Sequence, residues 1–381
     1  MLTKEELTHA ISFGKKMLWI FGLFNCKHLE KHFAYDYARI FIVALGIPCP
    51  ILILMNVILS ESGFAEFLEQ GMFILGSSWI AIEIIAQIVM LNRITELEDL
   101  VESNYHCFNP QNQVQLEFIR AKNTKLVDIS KVIWCCLYSF TIIFVVSPLV
   151  IDQSLTIPMW MPFEDQEFPA YVYESVYLLI LGVIYPHLHN TFLGPILVAT
   201  AQFQILKDNL LHATDRSEAE DAFTQEIRIQ NRLKNCIRHH NELLRFTSKI
   251  QAMVAPIFLV NISFTILGIC CSVLQIIMAT GNTDLIMLVS YLGIFIFQMY
   301  LTCWVGNDLI TESSNITEAC YMSEWYTCSM STKKMFIVIM TNTQNPIALQ
   351  SVIFPVSYVT FVMILRSSYS YYTVFSQAYE N

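Results

Sequence analysis

Charge is scarce in this sequence. Only 14% of its 381 residues are charged, while 55% are hydrophobic, against about 25% charged in an ordinary soluble domain. So little charge cannot cover a water-facing surface, which excludes a soluble enzyme, and no nucleic-acid partner is expected. Catalytic signatures are missing too: there is no P-loop, no His-Glu-x-x-His, no Gly-x-Ser-x-Gly and no glycine-rich dinucleotide fingerprint. Of the 11 cysteines, none forms a Cys-x-x-Cys pair or a zinc-like Cys/His spacing, so no cofactor or metal is expected. No secretory leader with a small-residue cleavage site is visible in residues 1–39, so the first apolar span is expected to insert the chain.

What the sequence has instead is apolar blocks about as long as the roughly 20 residues a helix needs to cross a bilayer. They run approximately Ile40–Leu59, Met72–Leu91, Val132–Ile151, Tyr177–Phe203, Met253–Ala279, Leu285–Val305 and Met335–Leu365, the last interrupted. Backbone polar groups in lipid must be satisfied within the segment or within a closed barrel. Continuous apolar runs exclude alternating barrel strands. The sequence therefore predicts an all-α membrane protein with seven transmembrane helices.

Basic residues orient it. Cytoplasmic loops retain Lys and Arg during insertion, and with seven spans 21 of the 22 basic residues fall on one side. The opposite loops, Ser60–Gly71, Asp152–Val176 and Thr280–Asp284, hold nine carboxylates and no basic residue. The N-terminus is expected in the cytoplasm and the C-terminus outside, the reverse of a G-protein-coupled receptor. The remaining basic residue, Arg366, lies in the outer half of the last span and is expected to be paired, snorkelled or facing a vestibule.

The expected organisation follows from these boundaries. Residues 1–39 form a cytoplasmic segment, 40–206 the first four spans, 207–252 a cytoplasmic helical extension and 253–312 the fifth and sixth spans. Residues 313–345 form a cytoplasmic anchor, and 346–381 the last helix with a short external tail. Asn345–Pro346 splits the seventh element, because proline removes a helical donor and restricts its predecessor. A cytoplasmic piece over Lys333–Gln344 is expected before a spanning piece from Ile347 to about Phe375. In the second external loop Pro158, Pro162 and Pro169 alternate with Trp160, Phe163 and Phe168. That composition suits an aromatic lid or a plain surface loop.

Three features invite a functional reading. Glu83 lies inside the second span on one face with Trp79 and Gln87; intramembrane acids are functional candidates, but a hydrogen-bonded packing role is favoured. His239–His240 are adjacent on a helix and point apart, so a solvated or interface-packed face is favoured over a metal site. The end of the last span, Arg366-Ser-Ser-Tyr-Ser-Tyr-Tyr-Thr-Val-Phe-Ser-Gln377, is rich in hydroxyls. Ser367, Ser370, Val374 and Gln377 share a face that suits a wetted pore with an apolar constriction. An interfacial belt of Tyr369, Tyr371, Tyr372 and Tyr379 suits it as well.

The C-terminal third resembles the insect odorant receptor family. The likeness rests on Cys303-Trp-Val-Gly306-Asn307, on Ala319-Cys-Tyr321 with Trp325, on Pro346 before the long helix, on Arg366-Ser-Ser-Tyr-Ser-Tyr-Tyr-Thr373, and on Ile237-Arg-His-His240. The resemblance implies an odorant-gated, non-selective cation channel subunit. It would bind a small volatile, assemble as a heterotetramer with the odorant receptor co-receptor, and reside in the plasma membrane of sensory neuron dendrites. It also implies a gate at Val374 and Gln377, with Ala378 at a position where the co-receptor has a larger apolar residue. An odorant pocket is implied in the outer half of spans two, three, four and six. By depth and facing its residues are Phe73, Ser77, Ile80, Tyr138, Thr141, Val145, Tyr177, Leu181, Tyr291 and Phe295. A secondary transporter would show paired broken helices, whereas one break is visible here; a G-protein-coupled receptor would need the opposite orientation.

Overall fold

The computed structural model describes residues 11, 13, 15–24, 33–59, 64–151, 159–162, 167–216, 221–278 and 282–380. Its regular elements among these are helical: α1 Lys15–Ile20, α2 Phe33–Gly46, α3 Pro48–Leu59, α4 Phe64–Ser103, α5 Tyr105–Phe108 and α6 Gln113–Ile151. After them come α7 Glu167–Leu211, α8 Ala222–Met278, α9 Asn282–Met322, α10 Met330–Asn342 and α11 Tyr358–Glu380. Five stretches are long and apolar enough to cross a membrane, at Tyr35–Leu59, Gln70–Ser103, Phe168–Leu211, Ala222–Ile276 and Leu288–Thr327. With α6 and α11 they make a seven-helix bundle in which α7 packs against α4, α6, α8 and α9. The first span is two helices because Pro48 starts α3 where α2 stops, and proline suits a first helical turn.

The spanning helices run well past the apolar blocks into a cytoplasmic base, α4 for instance continuing to Ser103 and α8 beginning at Ala222. There the core is driven by water. Phe108, Phe203, Leu233, Phe246, Ile316 and Phe336 are fully buried in one cluster, each contributing about 1.5–3 kcal/mol relative to exposure. Ion pairs tie its rim, Lys122 to Asp308 and Lys249 to Glu96. Of the two expected settings His239 takes the packed one: it is 3% exposed, lies against Phe108 with ring centroids 5.4 Å apart and planes tilted by 53°, and meets Gln202 Oε1 at 3.0 Å. Burial, and secondarily the neighbouring His240, pushes its imidazole down to about 4.

The seventh element is split as expected, but at different places. The cytoplasmic piece α10 is capped by Ser329, whose side chain accepts from the Thr332 backbone N–H, and the spanning helix begins at Tyr358 rather than Ile347. Residues 347–357 form a folded turn in which Ser351 N–H donates to Phe354 O at 2.8 Å and Val356 N–H to Leu349 O at 2.8 Å. Val352 takes φ +65° there, a conformation costly for a β-branched residue. Pro355, which supplies no N–H, lies inside the apolar run and keeps the helix from starting earlier.

Within the membrane burial offers little driving force, because lipid is as apolar as a side chain, and small residues and hydrogen bonds join the helices instead. A polar ladder does so between α4 and α7. Trp79 Nε1–H donates to Tyr185 Oη at 3.2 Å, Glu83 Oε1 faces His189 Nδ1 at 3.4 Å, and Thr191 Oγ1 donates to Gln87 Oε1 at 2.7 Å. Such contacts contribute about 0.6 kcal/mol each on average.

Candidate ligand chamber and pore helix

An apolar chamber of about 120 Å³ sits in the bundle where α3, α4, α6, α7 and α9 converge. Eight of the residues expected at a pocket line it: Phe73, Ser77, Ile80, Thr141, Tyr177, Leu181, Tyr291 and Phe295. Tyr138 and Val145 do not. Tyr138 is one helical step round from the wall residue Leu137, and Val145 lies a turn beyond Thr141, where its carbonyl accepts from Tyr171 Oη at 2.9 Å.

The walls are built for close fit. Phe73 and Tyr291 meet edge to face with centroids 5.4 Å apart and planes at 87°, a geometry favoured by the ring quadrupole. Phe295 lies flat on Gly268 of α8, where a Cβ would meet its ring at 2.7–2.8 Å. Gly76 and Gly182 also line the chamber, and a larger residue at either would project toward Tyr291 or Thr141. Polar groups are few. Ser77 Oγ is engaged with Phe73 O at 2.7 Å, and Pro186 cannot donate to the Gly182 carbonyl four residues earlier. An apolar cavity with a few fixed polar groups suits a small, mostly apolar molecule.

Other wall residues lie outside the expectation, among them Cys49 and Ile53 of the first span with Trp79, Tyr185 and Gln298. The signal for the first pair is Pro48, which begins a fresh helix direction and brings the outer half of that span onto the chamber. Residues 159–162 of the second external loop lie beside it. Trp160 N–H donates to Leu52 O at 3.1 Å, and Met159 and Met161 are buried; Pro158 and Phe163 lie outside the described residues, and Pro169 falls in the first turn of α7.

From the chamber an apolar connection leads to the last helix. Phe295, Met299 and Cys303 of α9 share one buried cluster with Ile364 of α11. Tyr300 stacks on Tyr358 at 6.2 Å and meets Phe361 at 5.8 Å. Arg366 is exposed on α11 along an open groove with Val362, Met363, Ser367 and Ser370. The backbone of Val374, Gln377 and Ala378 is helical, and their side chains lie outside the described residues. The ten described cysteines are unbridged.

Comparison with known proteins gives this arrangement its setting. Residues 63–369 match the family model described as 7tm Odorant receptor. Odorant receptor 82a of Drosophila melanogaster is 24% identical over 228 residues, 58% of this chain and 57% of that protein. Odorant receptor 10 of Aedes albopictus is 23% identical over 241 residues, 60% of this chain and 61% of its own length. These matches thus span under two thirds of the relatives' lengths. The insect olfactory receptor OR5 from Machilis hrabei, solved in complex with eugenol, superposes with a TM-score of 0.82 at 15% identity, covering 98% of this chain and 100% of its own. A second structure of the same receptor gives 0.83 at 16%. At that identity the likeness speaks for the fold, and the family match covers most of the sequence. The chain is a multi-pass membrane protein that belongs to the 7tm odorant receptor family.

Proposed function

We propose that this chain is the odorant-tuning subunit of a ligand-gated, non-selective cation channel. It binds a small volatile in the chamber and works in a heterotetramer with the odorant receptor co-receptor in the plasma membrane of sensory neuron dendrites. The observation that carries this reading is the chamber itself: apolar, ringed by Phe73, Tyr177, Tyr291 and Phe295, and joined through Phe295 and Met299 to Ile364 of the last helix.

A ligand that fills the space beside Phe295 presses on a side chain already flat against Gly268. Close-packed walls do not deform continuously, so the displacement is taken up by a shift of α9 against α8 and α11. Binding opens the channel only to the extent that the ligand prefers the shifted arrangement. At the outer end of α11, Val374 forms part of an apolar ring that closes by dewetting, with Gln377 and Ala378 beyond it. The nine carboxylates of the external loops concentrate cations at the mouth.

The test is current in cells. A volatile panel should evoke inward cation current when the chain is expressed with the co-receptor and none when either is expressed alone. Current that requires one particular monovalent cation, or coupled uptake of the volatile, would favour a transporter.

A further inference from the structure

A second cavity of about 320 Å³ opens beside the chamber, between α6 and α9 with α7 as its floor. It has common walls with the chamber in Leu137, Tyr185, Ile294 and Gln298. Its mouth is different. Cys136, Ser139 and Gly293 line it and are exposed on the outside of the bundle, and a Cβ on Gly293 would meet nothing within 4 Å. These positions fall inside the apolar blocks of the third and sixth spans, so the mouth faces lipid rather than water.

The floor is not wholly apolar. His189 is 3% exposed and turns Nδ1 toward Glu83 at 3.4 Å, while its Nε2, together with Nε2 of Gln298, has no hydrogen-bond partner among the described residues. Leaving one such buried polar atom unpaired costs about 1–3 kcal/mol, and here both belong to side chains that line one cavity. A group that accepts from the Gln298 amide and pairs with His189 Nε2 in either tautomer must both accept and donate, which a hydroxyl does and an ether or alkene does not. A charged ligand is disfavoured, since the mouth opens on hydrocarbon and carries no ionisable partner of opposite sign.

We propose that the cleft between α6 and α9 is a membrane-facing binding site for an uncharged apolar molecule bearing a hydroxyl, seated on His189 and Gln298. Two sources share that chemistry, an alcohol partitioned into the bilayer and a neutral hydroxylated lipid. Either would lie against Tyr185 and Ile294, the partition between cleft and chamber. The proposal stands apart from channel activity.

The experiment is photolabelling of the full chain in lipid nanodiscs with three diazirine probes: a medium-chain alcohol, a monoacylglycerol, and a hydrocarbon lacking the hydroxyl. The alcohol, the monoacylglycerol or both should label peptides covering 133–139 and 289–298 at least threefold more than the hydrocarbon does. Gly293→Phe, whose ring enters open space at the mouth, should lower that labelling at least fivefold. Ile80→Trp, which narrows the chamber, should leave it in place, and labelling of peptides 73–80 and 177–181 reports the chamber separately. The arm that labels names the source. No cleft labelling from either hydroxylated probe, equal labelling by the hydrocarbon, or labelling unchanged in both Gly293→Phe and Gly293→Leu would overturn the proposal.

Discussion

The Val356 carbonyl oxygen would overlap a Cβ placed on Gly306, and Val356 Cγ1 lies only 2.8 Å from the same point. Gly306 belongs to the Cys303-Trp-Val-Gly306-Asn307 run of α9, and Val356 ends the turn that launches α11. That run therefore fixes how closely α11 is seated on the bundle. Gly306→Ala should destabilise the fold by about 1–3 kcal/mol, as overpacking does, and lower surface expression severalfold by biotinylation. Because a backbone atom is among those in the way, Val356→Ala in the same chain should restore only part of the loss.

His239 makes stability depend on pH in a defined window. Its ordinary value is 6.5 and in the folded base it is pushed down to about 4, so the unfolded chain binds the proton more readily. Stability from the neutral imidazole is intact above pH 6.5 and is lost as pH falls toward 4, a change on the order of 3 kcal/mol at most. Melting temperature in detergent should fall across that interval, and His239→Gln should flatten the fall. An identical slope in both proteins would remove His239 as its source.

The Glu83–His189 contact is predicted to be structural. Glu83→Gln keeps a hydrogen-bonding group and should leave surface expression within about twofold of wild type, whereas Glu83→Ala leaves His189 Nδ1 facing a void. Breaking a buried polar pair on one side is costlier than replacing both with apolar groups. Glu83→Ala with His189→Leu should accordingly express better than Glu83→Ala alone, and equal or poorer expression would argue for a role in gating instead.

Much of this was legible in the sequence because lipid imposes simple rules. Apolar length marked the spans and basic residues marked one side, while the family resemblance implied a pocket among spans two, three, four and six, within which depth and facing picked out Phe73, Ser77, Ile80, Thr141, Tyr177, Leu181, Tyr291 and Phe295. Helix facing was harder to read where a span is apolar all round: Tyr138 looked as suitable as Leu137, and Cys49 and Ile53 gave no periodic signal. The start of α11 was obscured for another reason. Residues 347–357 are as apolar as a span, and only Pro355 and the hydrogen bonds of the turn distinguish them. The cleft floor depends on two nitrogen atoms from different helices, a pairing no single stretch of sequence displays.

Permeation should respond to the end of α11 in proportion to this chain's share of the ring. Val374→Ser is expected to raise basal current or alter ion selectivity when the chain is expressed with the co-receptor, since one apolar side of the constriction becomes wettable. Gln377→Lys places a positive charge there and should lower single-channel cation conductance. Neither should reorder the potencies of a volatile panel. If both variants reached the surface and conducted like wild type, α11 would not line the pore.

The most direct test narrows the chamber and reads the channel. Ile80→Trp replaces a wall residue with one bulky enough to narrow a cavity of about 120 Å³ substantially, and Val145→Ala alters a neighbouring position that the chamber does not touch. Odorant-evoked current should be recorded from cells expressing each variant with the co-receptor, normalised to surface protein. The account predicts at least a tenfold loss of evoked current or potency in Ile80→Trp and a change within twofold in Val145→Ala. Wild-type responses from a surface-expressed Ile80→Trp chain would contradict it.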